Sequence, residues 1–137
     1  MPDEMPLQPL RAAATIGLPD GTSVEVAVAD TPLLHSRGLM FRDRFDTVAG
    51  MLFVFDRTGW HAFWMRQTRL PLDILWLNAH WTIVSIAVHL PPCVTPPCPA
   101  YAPERPARYA LEAPAGFVET HRLRVGDQIR VKLTNDE

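Results

Sequence analysis

Long apolar runs are missing from this chain of 137 residues, and none approaches the roughly 18 consecutive residues that a membrane-spanning helix needs. No membrane span is expected. The first fifteen residues, MPDEMPLQPLRAAAT, hold two acids and three prolines where a secretory leader has a basic start and an apolar stretch. No signal peptide is expected, which makes the cytoplasm the default location. Lysine is almost absent, since twelve of the thirteen basic residues are arginine. Four acids (Asp3, Glu4, Asp136 and Glu137) fall in the tails, leaving twelve bases and eleven acids between Ile16 and Leu133. Nucleic-acid binders displace counterions with a dense basic face, and these scattered arginines give no reason to expect a nucleic-acid partner.

Preassembled chemistry is missing too. The five histidines (His35, His61, His80, His89 and His121) are dispersed, without His-x-His, His-Glu-x-x-His or Cys-x-x-Cys spacing, so neither a metal nor another cofactor is expected. There is no Gly-x-Ser-x-Gly elbow, glycine-rich phosphate loop or dinucleotide fingerprint. Acyl transfer, kinase and dehydrogenase chemistry therefore have no support.

What is present suits a small folded domain, with 47% hydrophobic and 20% charged residues. The length fits one domain, read here as residues 13–134 behind a flexible tail of residues 1–12. Ala13 to Ala29 reads as a hairpin about Pro19-Asp20-Gly21, its second arm alternating Val24, Val26 and Val28 with Glu25 and Ala27. Thr31-Pro32 opens a short helix that ends before Gly38. GMLFVF and WHAFWM flank Asp56 to Gly59 as a second hairpin, and LDILWLN and WTIVSIAVH form a third. Seven prolines between Pro91 and Pro106 make a stiff external loop. RYALEA is a further strand, Phe117 to Leu123 holds a helical turn or two, and QIRVKL is a last strand burying Ile129, Val131 and Leu133. The pattern predicts an all-β fold, an antiparallel sandwich or barrel with one short helix.

Six blocks in order, VADTPLLHSRGLMFRDRF, GMLFVF, FWMRQTRLPLDILWL, PPCVTPPCPAY, RYALEAPAG and VGDQIRV, closely resemble the small bacterial and archaeal proteins grouped as domain of unknown function 192. The resemblance spans residues 22 to 133 and implies a jelly-roll-like antiparallel sandwich with one short helix, without implying an activity. Arg66-Gln67 stands where many relatives carry Lys-Asn after the Trp-Met pair. Many relatives are exported, which keeps the cell envelope open as a location.

Polar residues inside apolar runs mark the candidate site. Asp73 lies between Leu72 and Ile74, and Glu112 between Leu111 and Ala113. A carboxylate in such surroundings must find a partner or hold its proton. Arg42 and Arg66 are the expected partners, and Trp64 the expected wall of a shared hollow. The residues support three functions: a binding module for a small polar or sugar-like ligand, a structural or protein-interaction domain, and, with less support, a hydrolase using Asp73 and Glu112 as acid and base across an open cleft. Cys93 and Cys98 lie five positions apart in the proline loop, where a disulfide fits and would contribute about 2 kcal/mol. In a reducing compartment the alternative is two free thiols.

Overall fold

The computed structural model describes residues 7–134. Its strands are β1 (Ala14–Gly17), β2 (Ser23–Ala29), β3 (Met51–Gly59), β4 (Phe63–Trp64), β5 (Leu72–Leu77), β6 (Ile83–Leu90), β7 (Ala100–Tyr101), β8 (Ala107–Pro114) and β9 (Arg130–Leu133). The helices are α1 (Pro32–Arg37) and α2 (Phe117–His121). The fold is all-β and sandwich-like, as the alternating segments require, with a second short helix beside the expected one.

Seven strands form one sheet in the order β6-β5-β8-β3-β2-β1-β9, and β4 pairs with β7 in a separate ribbon. Every pairing is antiparallel except β2 with β3. The large sheet curls until its edges meet. Thr82 bridges Gln128, the Ile83 amide donates to the Asp127 carbonyl at 2.8 Å, and the Ile129 amide donates to the Trp81 carbonyl at 3.0 Å.

Curling gives the sheet two apolar faces. The inner one gathers Ile16, Val26, Leu52, Leu75, Leu111 and Ile129. On the outer face Phe53, Ile74, Trp76 and Ala110 pack beneath Leu39 and Met65. Strands covered on both sides lose the usual polar alternation, and β5 is buried at all six positions.

Two local expectations are corrected. Asp56, Arg57 and Thr58 do not turn the chain but continue β3 through Gly59, so the second hairpin does not form. Instead Phe63 and Trp64 pair with Tyr101 and Ala100 in the proline loop, because Phe63 packs edge-on against Phe53, which turns the segment across the outer face. Leu133, expected inside, is 58% exposed on the terminal strand. Of the expected tail, residues 1–6 lie outside the described residues. Leu10 is buried, and its amide donates to Asp46 Oδ2 at 2.8 Å.

α1 forms where its sequence allows. Thr31 Oγ1 accepts from the Leu34 amide at 3.2 Å, Pro32 takes the first position, and Gly38 ends the helix with φ of 45°. Gly50 has another reason to be glycine. A Cβ there would collide with the Glu112 carbonyl oxygen, part of the rigid β8 backbone. Gly50→Ala is therefore expected to destabilise the protein by about 1–3 kcal/mol, read from the urea midpoint. An unchanged midpoint would show that β3 and β8 can part without loss.

Candidate functional site

A cavity of about 490 Å³ opens on the outer face of the sheet. α1 and the turn after it supply His35, Arg37 and Gly38, while β3 supplies Phe53 and Phe55. The segment from Ala62 to Thr68 contributes Phe63, Trp64 and Arg66, and β8 contributes Glu112. A second hollow of about 370 Å³ shares His35 and Phe55 and adds Asp30, Asp56 and His61.

Strand pairing decides which way Glu112 points. β8 lies between β3 and β5, with Glu112 opposite Met51 on one side and Ile74 on the other. Leu111 and Ala113 belong to the inner core, and Ala110 belongs to the outer one. Glu112, two residues from Ala110, shares its face. The side chain is only 5% exposed. Among the described residues no donor or cation engages its carboxyl. Burial pushes its pKa up from 4.5 to about 8.

Trp64 is 59% exposed and stands as one wall. Its Nε1 donates to the Cys98 carbonyl at 3.1 Å, and the Arg66 guanidinium lies over its ring, 5.3 Å from the centroid. The proline loop holds this segment in place. Met65 donates to the Pro99 carbonyl at 3.1 Å, and Cys93 donates to the Thr68 carbonyl at 2.9 Å. Cys93 and Cys98 are paired as a disulfide with Cα atoms 5.7 Å apart. The fork of loop that supports Trp64 and Arg66 is therefore closed at its base.

On the opposite wall His35 Nε2 lies 3.0 Å from the Ala29 carbonyl and 2.8 Å from that of Val54. Two carbonyls on one ring nitrogen require it to carry the hydrogen, leaving Nδ1 as the ring's free nitrogen. His61 stacks on Phe55 with centroids 3.8 Å apart.

Trp64, Arg66 and Glu112 therefore share one cavity, whereas Arg42 and Asp73 lie outside it. Asp73 is fully buried on the other side of β5. Its Oδ1 accepts from the His89 amide at 2.9 Å, and its Oδ2 accepts from the amides of Gly116 at 3.1 Å and Val118 at 2.9 Å. It anchors the first turn of α2 to β5. This corrects the shared-pocket expectation and removes the acid–base pair on which a hydrolase depended. Arg42 donates to the Gln8 carbonyl at 2.8 Å and lies 3.9 Å from Asp46, bracing the chain before β1. Sequence reasoning missed His35, Phe53 and Phe55, which meet Phe63 only through the docking of α1 and the turn of β4 away from β3. Among the described residues no cluster of three or more His, Cys, Asp or Glu is placed to hold a metal, and no helix is long and apolar enough to cross a membrane.

The fold defines a small all-β, sandwich-like protein. The chain belongs to the DUF192 family, described as "Uncharacterized ACR", whose model matches residues 15–131. It is 31% identical over 108 residues to a UPF0127 protein of Pyrococcus furiosus, covering 77% of this chain and 85% of that one. A crystal structure of a candidate transcription regulator from Sinorhizobium meliloti is similar with a TM-score of 0.77 and 27% identity, covering 93% of this chain and 98% of the other. A protein of unknown function from Novosphingobium aromaticivorans shares the fold with a TM-score of 0.76 at 24% identity, covering 92% and 89%.

Two outcomes follow from the carboxylates. Asp73→Ala leaves three part-buried amides without their acceptor and should cost on the order of 3 kcal/mol, with hydrogen exchange accelerating most at Gly116 and Val118. Equal protection in both proteins would remove Asp73 from its anchoring role. Glu112 has a folded pKa above its unfolded one, so its unfavourable contribution is absent below pH 4.5. The unfolded chain gives up the proton first, and stability declines as pH rises towards 8, by a few kcal/mol in order of magnitude. Glu112→Gln should flatten that decline in urea midpoints taken at pH 5 and pH 9. Parallel curves for the two proteins would contradict it.

Proposed function

We propose that the protein is a binding module for a small polar ligand, seated in the outer cavity between α1, β3, β8 and the Trp64 segment. The observation that carries the reading is the Glu112 carboxyl, nine-tenths buried, lining the cavity, and unpartnered among the described residues. A buried polar group left without a partner costs free energy that a satisfied pair or an apolar side chain would avoid. A ligand donor reaching Glu112 removes that cost. The surroundings fit the pattern of ligand sites, with mostly apolar walls and a few convergent polar groups.

Trp64 supplies a broad, exposed aromatic face held by its Nε1 bond, a surface on which a sugar ring or other flat polar molecule can lie. Catalysis by paired carboxylates has lost its second member, so binding is the better reading. Nucleic acid stays outside the proposal because the arginines are interspersed with acids. The discriminating variant is Trp64→Ala. It should cost about 1 kcal/mol of stability, the worth of one exposed hydrogen bond and its contacts, while abolishing binding of whatever saccharide or small metabolite ligand-observed NMR detects with the wild type. A screen in which the wild type takes no ligand would defeat the reading in favour of a structural domain.

A further inference from the structure

Charge is arranged unequally along the cavity. Its inner wall carries Glu112, enclosed by the strands on either side, while the exposed side chains of Arg37 and Arg66 lie on its lining from α1 and the Trp64 segment. Neither arginine forms an ion pair with Glu112 or with any other acid among the described residues. A carboxyl and two guanidiniums thus share one hollow without neutralising one another. From this we infer that the cavity takes a small zwitterion, with a primary ammonium on Glu112 at the inner wall and a carboxylate on Arg66 and Arg37 at the mouth.

The inference rests on the proposed binding cavity and names its ligand class. Three features favour a cation at depth over a neutral donor. An ammonium meets the carboxylate with charge-assisted hydrogen bonds, which are stronger than neutral ones. Phe53, Phe55 and Phe63 belong to the same lining, and aromatic rings attract a desolvated cation through their quadrupoles. The ammonium also supplies the counter-charge that Glu112 lacks. At the mouth, arginine offers a planar fork that matches a carboxylate in two parallel bonds. Arg66 is already oriented by its stacking on Trp64, so less motion is lost when an anion arrives.

Binding changes protonation. In the free protein Glu112 holds its proton at neutral pH, and the groups facing it across the cavity are His35, Arg37 and Arg66. Seating an ammonium ionises Glu112 and releases that proton to solvent. A neutral polyol would leave it in place.

Isothermal titration calorimetry on the full chain at neutral pH separates the cases. The probes are β-alanine, γ-aminobutyrate and ε-aminocaproate, set against alkylamines and alkanoates of matching length and a panel of neutral saccharides. The expected result is that at least one amino acid binds about tenfold or more tightly than either of its one-ended analogues. Its heat should change with the ionisation enthalpy of the buffer, as proton release demands. Glu112→Gln, which should fold at least as stably as the wild type, should lower the affinity to that of the alkanoate. Arg66→Gln should lower it to that of the amine.

Equal binding of amino acid and alkanoate, unaffected by Glu112→Gln, would overturn the inference. Binding of saccharides alone, lost in Trp64→Ala, would overturn it while leaving the cavity as a binding site. Binding of no probe at all, together with an empty metabolite screen, would remove both.

Discussion

Both faces of the central strands are covered, and that constraint governs the rest of the molecule. β5 and β8 have hydrogen-bonded neighbours on each side, one apolar core beneath and another above. A side chain on these strands has no route to bulk water except through a gap in the outer cover. Every polar group placed there must be satisfied by protein, carry a proton, or face such a gap. Asp73 meets the first condition and Glu112 the other two. Two carboxylates on adjacent strands thereby acquire unrelated roles, one tying a helix to the sheet and one lining a cavity.

The outer cover is assembled from pieces with little regular structure. α1 has no buried residue of its own and is held through His35, which bonds to the end of β2 and to β3. The Trp64 segment is hydrogen-bonded to the proline loop and packs on the large sheet through Phe63 and Met65. Between these two loosely built walls lies the cavity, while the barrel interior behind it is complete without them. The arrangement builds the cavity walls from short, irregular pieces and the core from paired strands.

Much of this was legible in the residues. Alternation of Val24, Val26 and Val28 and the run Leu72 to Leu77 fixed strands because burial on one face or two has a direct sequence period. Thr31-Pro32 and Gly38 marked α1 because caps are local chemistry. Glu112 and Asp73 stood out because a charge among aliphatics needs a partner, a retained proton or an opening. What the residues could not show was which face of the sheet each carboxylate takes. Asp73 and Glu112 look alike in sequence, yet register puts one under the sheet and the other above it. The path of β4 was hidden for a similar reason, since its pairing with Ala100 and Tyr101 depends on contacts almost forty residues distant.

Glu112 also bears on how the chain chooses its pairing. Side chains alternate along β8, so a slip of one residue against β3 or β5 would exchange its two faces. The carboxyl would then enter the apolar interior around Leu52, Leu75 and Ile129, and Leu111 would be left at the opening. Central strands made only of aliphatics pay little for such a shift, because each face accepts the other's side chains. A single acid on a central strand covered on both faces makes the misaligned sheet far costlier than the native one. The residue that lines the cavity of the finished fold is, during assembly, a marker that distinguishes correct from shifted alignment.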